Sequence, residues 1–137
     1  MATVIRAEVS EKNKYWIDKH RHYELKHFCL QYPNWKRTYA ELDGFESRSD
    51  DTYSRVNTPG DPTGKVVELR TLYLERMDLV RRIAFEADPD LASYIFRAVT
   101  EGLSYTYLRS KLAIPCGRDM YYDRYRRFFW LLSQSRK

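Results

Sequence analysis

The sequence predicts an all-α protein of about six helices. Apolar residues recur every three or four positions along most of the chain, and no alternating run long enough for a strand appears. A length of 137 residues favours one domain, or one core with an insert. We therefore divide the chain into an N-terminal helical region (1–44), a flexible loop (45–64) and a helical core (65–137) that ends in a helix-turn-helix (103–137).

Two helices are predicted in the N-terminal region. Residues 12–32 form the first, and its buried stripe consists of Leu25, Phe28, Cys29 and Tyr32 at i, i+3, i+4 and i+7. Pro33 is expected to end this helix, because proline disfavours the helical conformation in the residue before it. A second, short helix is expected from the capping residue Asn34 to about Leu42, with Gly44 as its stop.

A polar segment separates these helices from the rest of the chain. Residues 43–64 are rich in Gly, Pro, Ser, Asp and Thr and lack periodicity, which predicts a loop. A long helix is then expected from about Pro62 to Ala87. Its apolar residues lie on more than one face, which permits a homodimer without requiring one.

Two shorter helices follow the long one. Asp88 and Pro89 are expected to begin a helix that ends at Gly102. Ser104 is expected to cap the next helix, residues 105–113. The residues predicted to face inward are Leu91, Ile95, Ala98 and Val99 in the first, and Tyr107, Leu108 and Leu112 in the second.

The last helix is predicted from about Gly117 to Ser133, after a break at Pro115-Cys116-Gly117. Its apolar stripe consists of Tyr121, Tyr125, Phe128 and Leu132. A short helix, a tight turn and a longer helix in succession predict a helix-turn-helix.

Charge is distributed unevenly along the chain. The net charge is +5, but residues 1–40 carry +4, residues 41–102 carry −5 and residues 103–137 carry +6. A basic element at a helix-turn-helix is typical of a surface that binds phosphates. We therefore predict double-stranded DNA as the partner.

The predicted contacts divide between the two helices of this motif. The final helix is expected to enter the major groove, and the helix before it is expected to cross the DNA backbone. The predicted contacts to bases and phosphates are Arg118, Tyr122, Arg126 and Arg127, and the predicted backbone clamps are Ser104, Thr106, Arg109 and Lys111. The alternative is a surface helix on which Asp119 and Asp123 pair with Arg126 and Arg127.

The sequence gives little support to an enzyme. It contains no glycine-rich phosphate loop and no nucleophile elbow. The three histidines lack the spacing of a zinc site, and no cofactor is expected. Cys116 lies at a helix start, where the pKa of a thiol can be lowered, but a small turn residue is the favoured interpretation. Two isolated cysteines and no signal-peptide core predict a cytoplasmic protein, in a bacterial host cell if the resemblance described next holds.

The pattern resembles phage late-gene transcription regulators of the RinA and ArpU type, whose C-terminal part is similar to sigma factor region 4. Three features carry the resemblance: the run FCLQYPNWKRTYAEL, a polar loop before a long helix, and the terminal YLRSKLAIPCGRDMYYDRYRRFFWLL. The chain departs from the pattern at Arg109, where a small residue is usual. Its turn, Ile114 to Gly117, is one residue longer, which leaves two registers for the final helix.

The resemblance implies binding to promoter DNA and activation of phage late genes, with RNA polymerase as a partner by analogy. Two other functions remain open from the sequence. One is a helical phage protein that binds and controls a host protein, because tyrosine and tryptophan are abundant and anchor interfaces. The other is DNA recognition like that of a terminase small subunit.

Overall fold

The computed structural model describes residues 11–52 and 62–136, of which 45–52 and 62–63 are described by their backbone alone. Within these ranges the protein is all-helical, as predicted, and contains no strand. The helices are α1 (Lys19–Leu30), α2 (Tyr32–Thr52), α3 (Pro62–Ala87), α4 (Ala92–Glu101), α5 (Tyr105–Leu112) and α6 (Arg118–Ser135).

The helices form two compact units. The terminal unit comprises the described residues up to Gln31 together with those from Val80 to Arg136, and the middle unit comprises the described residues of Tyr32–Leu79. The terminal unit therefore groups α1 with the end of α3 and with the last three helices. None of the described helices is long and apolar enough to cross a membrane.

The first two helices differ from their predicted bounds. α1 begins only at Lys19, because the Asp18 carboxylate accepts the His20 backbone N–H at 2.9 Å and caps the helix there. Pro33 does not end a helix but lies in the first turn of α2, where its missing N–H costs nothing. α2 continues through Gly44 to Thr52, so part of the predicted loop is helical. The rest of that loop, residues 53–61, lies outside the described residues.

The later helices follow the predictions except at the start of α4, which begins at Ala92 and not at Pro89, because the Asp88 carboxylate accepts the N–H groups of Asp90 and Leu91 and holds residues 88–91 in a turn. α3 has the bounds expected from the periodicity. Gly102 ends α4 with φ 74°, the left-handed conformation that favours glycine at a helix end. The Ser104 hydroxyl accepts the Tyr107 backbone N–H at 3.1 Å and caps α5, as predicted. Tyr107 was wrongly placed in the core, since it is exposed and Tyr105 is the buried tyrosine of α5.

The turn between α5 and α6 begins with an unusual residue. Ala113 has φ 53° and ψ 47°, and it is the one non-glycine residue with positive φ among those described. The N–H groups of Ala113 and Ile114 both donate to the Leu108 carbonyl, which satisfies the end of α5. Ile114 is buried and anchors the turn.

The core of the terminal unit is built around α6. His22 on α1 packs its ring edge-on against Phe129, with 4.8 Å between centroids. Arg21 donates from Nε to the Ser133 hydroxyl at 3.1 Å and fixes the far end of α6. The buried apolar residues are Leu25, Phe28 and Cys29 of α1, Val80, Ile83, Ala84 and Ala87 of α3, Leu91, Ile95, Ala98 and Val99 around α4, Tyr105 and Leu108 of α5, Ile114, and Tyr121, Tyr122, Phe128, Phe129 and Leu132 of α6.

The middle unit joins α2 to the first part of α3. Arg70 bonds the Asp43 carboxylate at 3.0 Å, and its guanidinium carbon lies 5.3 Å from the centre of the Tyr39 ring. The guanidinium carbon of Arg76 lies 5.8 Å from the ring centre of the buried Trp35. Cation–π contacts therefore connect the two helices beside their apolar residues.

We expect Ala113→Gly to stabilise the protein by about 1 kcal/mol, because glycine adopts positive φ without the steric cost that a Cβ brings. The free energy of unfolding in urea measures the effect.

Gly102 supplies the reciprocal control at the same kind of helix end. A Cβ there would meet Leu30 Cδ2 at 3.5 Å, an ordinary contact, so Gly102→Ala tests the backbone alone. We expect this variant to lose about 1 kcal/mol. If both substitutions changed the free energy of unfolding in the same direction, positive φ would not explain their effects.

Candidate nucleic-acid interface

The predicted backbone clamps on α5 are all accessible. Thr106, Arg109 and Lys111 are exposed, and so is Ser104, although its hydroxyl is occupied as the helix cap. Because α5 is held by the buried residues Tyr105 and Leu108, its opposite side presents these polar groups to solvent.

The start of α6 is fixed against α5. The Tyr105 hydroxyl donates to the Cys116 carbonyl at 2.8 Å and bridges the start of α5 to the turn. Arg118 is exposed, and its guanidinium carbon lies 5.1 Å from the ring centre of the same tyrosine. Tyr105 therefore positions Arg118 beside the exposed side of α5.

Tyr122 does not lie on the accessible side of α6, contrary to the prediction. Only 4% of it is exposed, and its ring packs against the rings of Tyr121 at 5.0 Å and Tyr105 at 6.3 Å. The buried stripe of α6 is wider than Tyr121, Tyr125, Phe128 and Leu132, because Tyr122 and Phe129 extend it on one side. Tyr122 thus belongs to the core and not to a DNA-binding surface.

Arg126 and Arg127 are half-buried. Arg127 donates to the Tyr15 hydroxyl at 3.1 Å and to the Glu86 carbonyl at 3.5 Å, both neutral oxygens. The Arg126 Nε is buried and has no hydrogen-bond partner among the described residues. Neither arginine pairs with Asp119 or Asp123, so the particular ion pairs named in the alternative prediction are absent among the described residues.

The carboxylates near α6 bind Arg124 instead. The Asp88 Oδ2 accepts from the Arg124 Nε at 2.9 Å, and Asp123 binds the same guanidinium. The hydrogen bond that Arg124 donates to Asp88 raises the pKa of Arg124 and keeps it charged. Asp88 is buried, and its Oδ1 also accepts the backbone N–H groups of Asp90 and Leu91. Asp88 therefore links the start of α4 to α6.

The sequence analysis missed Tyr15 altogether. Its ring lies 5.9 Å from that of Trp130, on the outer side of α6. Tyr15 also borders a cavity of about 380 Å³, whose floor includes Arg124 and Arg127. The sequence analysis assigned residues 12–18 to the first helix, and no local pattern predicted that this segment lies against the last helix.

The thiols of the two cysteines both have raised pKa values. Burial raises the pKa of the Cys116 thiol, and the charge of Asp88 raises it further. Burial also raises the pKa of Cys29. The lowered pKa considered for Cys116 is therefore wrong. The described residues contain no group of histidine, cysteine and carboxylate side chains that could hold a metal ion.

No family model, curated protein or solved structure matches the chain. The function is therefore inferred from the residues of this chain and their geometry.

We expect Asp88→Ala to destabilise the protein by about 2 kcal/mol, because it removes the acceptor of two N–H groups in the turn before α4 and the partner of Arg124 together. The free energy of unfolding in urea is the measurement. Asp123→Ala is the matched control, since Asp123 binds Arg124 without accepting from such a turn, and it should cost less than about 1 kcal/mol. Equal losses would refute the dual role of Asp88.

We expect Cys116 to react with iodoacetamide at pH 8 more slowly than free cysteine, because a raised pKa leaves less thiolate at a given pH. Cys29 should not react until the protein unfolds. Mass spectrometry of the native protein and of the protein in urea would distinguish the two sites. A Cys116 rate equal to or above that of free cysteine would contradict the assigned environment.

Proposed function

We propose that this protein binds double-stranded DNA through α5, the turn after it and the first turn of α6. The observation that carries the proposal is a set of cations without ion-pair partners among the described residues: Arg109, Lys111, Arg118 and Arg126. The first three are also exposed.

Other arginines of the terminal unit are paired with carboxylates. Arg21 binds Glu24, Arg97 binds Glu101, and Arg124 binds Asp88. On α5 and the start of α6 the cations remain free to meet phosphates, whose contacts supply most of the affinity of a DNA-binding protein.

The arrangement suits a helix-turn-helix in which the start of the second helix meets the DNA. Arg118 would reach the groove, because the first residues of a recognition helix contact base edges. Arg109 and Lys111 would contact the backbone. Arg126 lies farther along α6 and would meet a phosphate at the edge of the groove. Tyr122 is buried and is not expected to contact DNA.

The resemblance to phage late-gene regulators supplies the biological context of the proposal. A promoter would be the target, and a region-4-like surface would bring RNA polymerase as a second partner. A homodimer would fit such a role, because dimers read two half-sites.

We expect the triple variant Arg109→Ala, Lys111→Ala, Arg118→Ala to bind DNA at least tenfold more weakly. The slope of log K against log salt should become shallower by about two to three, since each lost phosphate contact removes about 0.9. Fluorescence anisotropy with labelled duplexes from the neighbouring genome, over a salt series, measures both quantities.

The matched control removes three cations elsewhere in the terminal unit: Lys19→Ala, Lys26→Ala, Arg97→Ala. This variant has the same net charge as the first, so it separates a defined surface from general attraction. We expect its salt slope to stay close to that of the unsubstituted protein. Equal weakening of both variants would mean that net charge alone drives the binding, and the proposed surface would be wrong.

One observation favours a second function, the binding of another protein. Phe85 is 60% exposed and borders an apolar depression of about 270 Å³ between α3 and α4. Exposed apolar patches of this kind often mark protein contacts. Phe85→Ser should leave DNA binding unchanged under the first proposal, and it should disrupt a stable host-protein complex under the second.

A further inference from the structure

We propose that residues 11–18, here called the N-terminal cover, restrain the outer face of α6 and must be displaced before Arg127 and Trp130 can contact DNA. The inference rests on the proposed function and adds regulation to it. The second half of α6 would then bind DNA only after the N-terminal cover has been displaced.

Tyr15 is the residue through which the cover holds α6. Its ring packs on Trp130 with 5.9 Å between centroids, and its hydroxyl accepts from the Arg127 guanidinium at 3.1 Å. The Arg127 guanidinium carbon also lies 5.8 Å from the Tyr15 ring centre. The Tyr15 side chain thus contacts both Arg127 and Trp130, the two groups that an extended DNA contact would use.

The cover itself forms no helix. The backbone N–H groups of Tyr15 and Trp16 form local bonds: the Tyr15 N–H donates to the Asn13 side chain at 2.8 Å, and the Trp16 N–H donates to the Asn13 carbonyl at 3.0 Å. Tyr15 also lines the cavity of about 380 Å³ above Arg124 and Arg127, so the contact with α6 is not closely packed on that side. Segments held by few buried contacts open more readily than a helical core.

Electrostatics favours exchange of the cover for DNA. Arg127 is satisfied only by the neutral oxygens of Tyr15 and Glu86, and a hydrogen bond to a phosphate would be stronger because it is charge-assisted. The cover also brings a second cation to the same ring, since the Lys14 Nζ lies 5.0 Å from the Tyr15 centre. Displacement of the cover would separate these two like charges.

The test compares Tyr15→Ala with Tyr15→Phe in the full chain, by anisotropy with the same labelled duplexes. We expect Tyr15→Ala to lower Kd several-fold and to steepen the salt slope by about one, because Arg127 gains one phosphate contact. Tyr15→Phe keeps the ring on Trp130 and loses the hydrogen bond, so its gain in affinity should be smaller.

A second variant shows whether the gain comes from Arg127. Adding Arg127→Ala to Tyr15→Ala should return the slope to that of the unsubstituted protein, and this comparison remains valid if Tyr15→Ala is somewhat less stable. If Tyr15→Ala binds DNA as tightly as the unsubstituted protein, or more weakly, the proposed role of the N-terminal cover is wrong. If neither the unsubstituted protein nor any variant binds DNA, the proposed function is wrong, and so is the proposed role of the N-terminal cover.

Discussion

The terminal unit depends on the burial of one face of α6. Tyr121, Phe128 and Leu132 are almost completely enclosed there, and α1, α3, α4 and α5 supply the apolar residues around them. Rings placed edge-on, such as Phe128 and Phe129 at 5.0 Å, fill this space with large, rigid groups. The unit is thus organised around a helix that also carries four arginines.

That double role constrains where α6 can act. A recognition helix needs an open face, but the apolar stripe takes one side of α6 and the N-terminal cover takes part of the other. Accessible positions remain at the first turn, where Arg118 and Asp119 are exposed. This explains why the proposed interface combines α5 with the beginning of α6 and does not run along the whole of the last helix.

The sequence predicted those features that local signals determine. Periodicity gave the bounds of α3, and the Ser104 cap and the Gly102 stop were placed correctly because each acts through its own backbone neighbours. Gly44 misled the prediction, since one glycine weakens a helix by only about 1 kcal/mol and need not end it. Ala113 gave no signal of a left-handed residue, because alanine rarely takes that conformation.

The candidate site was only partly predictable for a different reason. Arg109, Lys111 and Arg118 are exposed as expected, because they lie on the polar side of short amphipathic helices. Tyr122 was misplaced because tyrosine suits both core and surface, and only the packing of Tyr105 and Tyr121 decides between them. The partners of Arg124 and Arg127 come from Asp88 and Tyr15, far away in the chain, and no spacing rule connects such residues.

The buried tyrosines of α6 also make the stability of the terminal unit depend on pH in alkaline solution. Burial raises the pKa of Tyr121 and of Tyr125, so both phenols stay protonated in the folded state at pH values where exposed tyrosines ionise. Their contribution to stability is complete below an ordinary tyrosine pKa of about 10 and declines as the pH rises above it. Strong base would therefore unfold the terminal unit by favouring the phenolates of the unfolded chain, and the ultraviolet absorbance of tyrosinate would appear together with the loss of helix.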